Sequence, residues 1–174
     1  MNEESNGDMG IEFRSPEGDA ELEQLVEVQR RAWGMSDLEI TPTRMMHALH
    51  YNGALLLGAF DGERMVGFIL GVISTVQGLT DRIDEVAAAR LQLYSAMMGV
   101  LPEYQHRQIG YRLKLGQRDY ALRLGLRLVT WTFDPLESRN AWLNIGKLGA
   151  VCHQYLPNFH GEMTGINAGL PSDR

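Results

Sequence analysis

The sequence predicts a mixed α/β domain in which helices cover the faces of one central sheet, and three patterns carry that expectation. Two apolar runs, 54–60 and 65–75, flank the turn signal Asp61-Gly62, which is the signature of a β-hairpin. The run 91–100 is largely apolar on both alternating faces: Leu91, Leu93, Ser95, Met97 and Gly99 lie on one, with Gln92, Tyr94, Ala96, Met98 and Val100 on the other. That suits a strand buried on both sides. Pro102 ends it, and Ile109, Leu113, Tyr120, Ala121 and Leu124 then follow at helical spacing.

The remaining elements are read in chain order. Residues 11–14 alternate briefly. Asp19 precedes Leu22, Leu25, Val26, Val28, Ala32 and Trp33, a helical set expected to be capped by Asp19 and stopped by Gly34. Glu21 and Glu23 near its start and Arg30 and Arg31 near its end suit the helix dipole. Thr41 and Pro42 predict a second helix over 42–50, with Met45, Met46 and Leu49 on one face and Asn52-Gly53 as its break. The charged segment 80–90 fits a loop or a helical turn equally. A strand is expected over 126–133. Asp134-Pro135-Leu136-Glu137 then reads as the start of a helix over 135–148, closed by Gly149 and followed by a last strand at 150–155. Residues 157–174 hold no period, and no internal repeat is present.

With 174 residues, 44% of them hydrophobic, the chain suits one domain over 11–174 behind a polar tail at 1–10. Sixteen basic against 22 acidic residues leave a net charge of −6, which argues against nucleic acid as a partner. Cys152 is the one cysteine and forms no internal disulfide; a small buried filler is its expected role. The longest apolar stretch, 65–73, falls short of the roughly 20 residues of a spanning helix. The opening residues are polar and unlike a signal peptide, so a cytoplasmic protein without a membrane partner is expected. His47 and His50 have no carboxylate or cysteine at ligand spacing, so no metal is expected. Trp131 and Phe133 are expected in the core, and Met45, Met46, Met97 and Met98 as core or lining.

The chemistry concentrates after the central strand, in VLPEYQHRQIGYRLKL. Consecutive backbone N–H groups there precede a helix N-terminus, an arrangement suited to phosphate, with His106, Arg107 and Arg112 close by. At this junction the sequence resembles the GNAT superfamily of acyl-CoA-dependent N-acyltransferases. The residues matching that family's phosphate turn are Gln105, His106, Arg107, Gln108, Ile109 and Gly110, with Pro102 and Tyr104 at the usual spacing. A second match, RNAWLNIGKLGA over 139–150, is similar to the family's asparagine-bearing helix. The stretch from Trp131 and the tail from Pro157 further resemble a little-characterised group of predicted GNAT acetyltransferases whose chains run on past this point.

The resemblance implies a largely antiparallel central sheet flanked by helices. It also carries the expectation of a missing final strand, which would leave an open sheet edge or a site completed in a homodimer. It implies acetyl-CoA or a related acyl-CoA as co-substrate, no metal, and direct transfer to a primary amine of a small molecule. The pyrophosphate would sit on 105–110, bordered by Tyr111, and the pantetheine arm along the strand ending in Met98, Gly99 and Val100. A main-chain N–H near Gly99 or Val100 would meet the oxyanion, while Asn140 and Lys147 come from the second motif. Two positions depart from the pattern. Gln108 stands for the turn's first glycine, and Ile145 for a tyrosine that protonates the leaving thiolate in many members. Tyr155 is the expected substitute acid; Glu39, His47, His50, Asp134 and His153 are candidate proton acceptors, Glu39 and Asp134 ahead of the others. The rival readings are a non-catalytic acyl-CoA-binding or regulatory domain and a dimeric interaction module of the same fold.

Overall fold

The hairpin forms as its alternation requires. In the computed structural model, which describes residues 10–76, 91–163, 165 and 168–174, strands β2 (Leu55–Asp61) and β3 (Arg64–Thr75) pair antiparallel. The expectations for the tail at 1–9 and for segment 80–90 lie outside these residues. Asp61 pairs with Arg64, so Gly62 and Glu63 make the turn. Only Gly62 has positive φ (60°), which is the type II′ pattern rather than the type I′ expected of Asp-Gly. Strand β1 (Ile11–Arg14) pairs with β2 and β4 (Leu91–Val100) with β3, both antiparallel. Strand β5 (Val129–Thr130) joins β4 in parallel, giving the order β1-β2-β3-β4-β5.

Helices cover the two faces. Helix α1 (Gly18–Trp33) lies over the face of Phe68 and Gly99: Trp33 meets the Phe68 ring edge-on, and a Cβ at Gly99 would touch Trp33 and Ala32. Helix α3 (Ile109–Arg123) lies over the other, where Cβ atoms at Gly67 and Gly71 would reach Ile109 and Gln117. Between the layers Leu25, Leu56, Phe60, Phe68, Ile69, Leu93 and Leu113 are fully buried. The cap of α1 is Glu17 and not Asp19; the Glu21 carboxylate, one turn into the helix, accepts the Glu17 amide at 2.7 Å while paired with Arg14. Gly34 closes the helix in the left-handed region, as expected. Helix α2 (Thr43–Tyr51) is capped by Pro42 and not by Thr41, whose amide donates to buried Gln29 at 2.9 Å. On α2, Met46 is buried but Met45 is exposed.

The C-terminal third differs most from expectation. The strand predicted over 126–133 pairs only at Val129 and Thr130. The helix predicted from Pro135 begins later, as α4 (Ser138–Ala141), because Asp134 accepts the Leu136 amide at 2.8 Å and makes a turn of Pro135-Leu136. It then widens into a π-helical segment (Trp142–Lys147), and Gly149 ends it with φ +65°. No strand forms at 150–155; Val151, Cys152 and Tyr155 are exposed, so Cys152 is no buried filler. Leu156 instead exchanges backbone hydrogen bonds with Arg174, which closes the tail on itself. Among the described residues no strand lies beyond β5.

Candidate functional site

The sheet delivers the turn expected to bind phosphate at the end of β4. Leu101 is buried and its amide donates to Val66 at 2.9 Å, after which Pro102–Tyr104 forms a single 3-10 turn. The amides of His106, Arg107, Gln108, Ile109, Gly110 and Tyr111 find no acceptor among the described residues. His106 (φ 70°) and Gln108 (φ 57°) are left-handed on either side of Arg107, an alternation that turns successive N–H groups into one concavity. The last three amides open α3, whose dipole adds roughly half a positive charge. Glu103 anchors the turn, pairing with Arg64 at 2.8 Å and Arg31 at 3.0 Å. Tyr104 donates to Asp61 at 2.8 Å and carries the Arg107 guanidinium over its ring. Its own amide and the two guanidiniums hold the Glu103 carboxyl below the usual range, and Asp61 raises the Tyr104 phenol.

Gln108 therefore keeps a backbone conformation that glycine adopts freely and other residues at a cost of about 1–2 kcal/mol. Gln108→Gly is expected to stabilise the fold by about 0.5–1 kcal/mol in urea unfolding, once glycine's larger unfolded-state entropy is subtracted. Gln108→Ala should show no such gain.

The second motif lies along the start of α3. Arg139 donates to Gln105 at 3.3 Å, Leu143 approaches Gly110, where a Cβ would stand 4.0 Å from it, and Lys147 lies 5.8 Å from the Tyr111 ring centroid. These contacts recur every four residues, so one helical face is stitched to the turn. Asn140, half-buried beside Arg139, has no side-chain hydrogen bond among the described residues.

Strand β4 offers the turn an extension. It pairs with β5 only at Leu93 and Tyr94, so from Ser95 to Val100 its outer edge has no strand partner among the described residues. A bulge at Ala96 shifts the register, with Ser95 opposite Gly71 and Met97 opposite Leu70. Met97 then points to Thr41 near α1 and α2, and Met98 to Gly110 on the α3 side. An extended, amide-bearing ligand can add to such an edge while its phosphates occupy the turn.

Beside this split, between α3 and β5, lies a cavity of about 340 Å³ lined by Tyr111, Lys114, Gln117, Arg118, Trp131 and Lys147 among others. Lys114 is buried; its ammonium stands 2.8 Å from Ser95 Oγ, 3.4 Å from Gln117 Oε1 and 4.1 Å from the Trp131 ring centroid. Burial pushes its pKa down to about 7. Gln117 Nε2 and Trp131 Nε1 are buried with no hydrogen-bond partner among the described residues. Sequence reading passed over Lys114 and Gln117, which look like solvated helix positions, and gave Trp131 only a packing role.

The candidate proton carriers lie in separate places. Asp134 holds the turn after β5, and Glu39 accepts from the Ser36 amide and hydroxyl at 3.0 and 2.8 Å. Tyr155 donates to Asp173, which raises the phenol's pKa and keeps it protonated. A ring nitrogen of His50 lies 3.3 Å from the Ala54 carbonyl. His47 and His153 are exposed. Among the described residues no three His, Cys, Asp or Glu side chains are grouped to hold a metal, and no helix is long and apolar enough to cross a membrane.

No protein-family model matches the chain, and no curated protein matches it either. Solved structures do. An aminoglycoside acetyltransferase, meta-AAC0020, from an uncultured soil metagenomic sample superposes with a TM-score of 0.61 at 17% identity, over 84% of this chain and 93% of that one. NAA60 of Arabidopsis thaliana, in complex with a bisubstrate analogue, gives 0.65 at 16% identity, over 86% and 88%. The aminoglycoside N-acetyltransferase AAC(6')-Iy, in complex with CoA, gives 0.57 at 16%, over 83% and 88%. The chain has the GNAT fold. In this GNAT fold the mixed, mostly antiparallel sheet is the expected one, and its strand-to-helix turn is built of amides with no acceptor among the described residues.

Proposed function

We propose that the chain is an acyl-CoA-dependent N-acyltransferase that moves an acetyl or other short acyl group to a primary amine of a small molecule. The observation that carries this reading is the run of unpartnered amides from His106 to Tyr111 at the end of the free edge of β4. Gln105 to Tyr111 would receive the diphosphate. The edge at Met98, Gly99 and Val100 would receive the pantetheine amides, with Asn140 and Lys147 closing from the second motif. Solved neighbours lend support, since one is a CoA complex and one is an aminoglycoside acetyltransferase bound to sisomicin.

In the reaction the amine nitrogen forms a bond to the thioester carbonyl carbon, the carbon–sulfur bond breaks, and the thiolate leaves. A preorganised N–H near Gly99 or Val100 contributes about 3 kcal/mol to the oxyanion. The proton lost by the amine goes through water to Asp134 or Glu39, and Tyr155 is the proposed donor to the thiolate. One observation favours the second reading, a non-catalytic acyl-CoA-binding or regulatory domain: the Tyr155 phenol is committed to Asp173.

Acetyl-CoA and free CoA are expected to raise the melting temperature, because a ligand of the folded state stabilises it by mass action. Thiol release over a panel of primary amines then reads the transfer. No thermal response to either compound removes both readings, whereas binding without thiol release leaves the second.

A further inference from the structure

The cavity between α3 and β5 adjoins the turn assigned to the diphosphate through Tyr111 and Lys147, while its wall around Lys114 holds donors that the proposed reaction does not use. Gln117 is fully buried, and its Nε2 donor, like the Trp131 indole N–H, has no acceptor among the described residues. A buried donor left unpaired costs about 1–3 kcal/mol, and both of these belong to side chains that line the one cavity. Lys114 stands between them, in contact with Gln117 Oε1 and with the ring face of Trp131. An ammonium has three donors, and Ser95 and Gln117 occupy two of them. Lys114, Arg118 and Lys147 line the cavity and, among the described residues, no carboxylate does, so the wall attracts an anion. Leu115, Val129, Leu148 and the indole supply the apolar remainder, enough for a short carbon chain.

We propose that this cavity is a carboxylate-binding pocket, in which Lys114, Gln117 and Trp131 together grip the carboxylate of a short-chain acid. Two of the three donor groups are uncharged, which suits a monoanion better than a phosphate dianion. The carboxylate has two sources. It is either a free acid or the far end of a carboxylated acyl group carried on CoA, and the second source rests on the function proposed above. Ser95, which receives the Lys114 hydrogen bond, stands where β5 leaves β4. An acyl chain entering along the free edge of β4 would therefore arrive at this cavity.

The test uses the ¹⁵N-labelled full chain, in which Trp131→Phe identifies one of three indole signals. Butyrate is expected to shift the Trp131 signal saturably and to raise the melting temperature if the free acid is the ligand. Succinyl-CoA is expected to bind at least about tenfold more tightly than butyryl-CoA, its four-carbon methyl-ended counterpart, if the carboxylate arrives on CoA. Lys114→Met should abolish either preference. Trp131→Phe keeps the ring but loses the N–H; it should weaken binding severalfold and gives a second, independent variant. If neither CoA ester binds, the acyltransfer reading fails and the butyrate arm alone decides the pocket. The proposal is overturned if butyrate leaves the indole signal unmoved and the two esters bind equally or not at all, or if either response persists unchanged in Lys114→Met.

Discussion

Aspartate in place of Gly110 is expected to weaken CoA binding by about 10- to 100-fold while the melting temperature of the free protein moves by no more than a few degrees. Gly110 is the second residue of α3, within the run of unpartnered amides. A carboxylate there stands beside the place assigned to the diphosphate; two like charges about 4–6 Å apart repel by roughly 3–4 kcal/mol near a protein surface, less after salt screening. The fold responds with the opposite sign. An anion in the first turn of a helix stabilises it by about 0.3–1 kcal/mol, and aspartate restricts the unfolded chain more than glycine. A Cβ at this position would meet Met98 at 3.5 Å and Leu143 at 4.0 Å, which is ordinary contact. Calorimetric titration with CoA, alongside thermal unfolding of the ligand-free protein, separates the two effects. Gly110→Asn, similar in shape but uncharged, should keep most of the affinity. Unchanged binding by the aspartate variant would mean that the diphosphate lies elsewhere.

The elements legible in the sequence are those set by local rules. The alternation at 54–60 and 65–75 fixed the hairpin, since a glycine-bearing turn allows one register that buries Phe60, Phe68 and Ile69 together. The run 91–100 and the spacing from Ile109 placed the strand-to-turn-to-helix unit, and the matched motif placed its amides. What escaped depends on contacts that are distant in sequence. The apolar run 126–133 has the composition of a full strand, yet only Val129 and Thr130 reach β4. Asp134 has the residue type of a helix cap, but it spends its carboxylate on the Leu136 amide two residues on. The tail closes through Leu156 and Arg174, a pairing that no periodicity announces. Gln108 stands where the matched motif has glycine, and its left-handed φ supplies the physical reason glycine suits that position.

Lys114 was the least legible residue and produces the second large effect. It follows Leu113 on α3, and a lysine in an amphipathic helix normally lies in solvent. Here it is 7% exposed, held between Ser95, Gln117 and Trp131, and burial lowers its pKa from 10.5 in the unfolded chain to about 7. Between these values the unfolded state binds more protons than the folded state, so stability must rise with pH across that window, by about 1.4 kcal/mol per unit. Below pH 7 both states are protonated, and the folded protein carries the full cost of a buried ammonium. Lys114→Met removes the charge at every pH. The stability gap in favour of the variant is therefore expected to shrink by several kcal/mol between pH 7 and pH 10. Other titrating groups act equally on both proteins and cancel in the difference. Urea unfolding at unit pH steps measures it, and parallel curves would mean that Lys114 stays solvated. A bound carboxylate should oppose the closing of that gap, because an anion against the ammonium favours its protonated form. At saturating butyrate, or succinyl-CoA where that is the ligand, the folded-state pKa of Lys114 should return towards 10.5 and the pH slope of the parent should flatten.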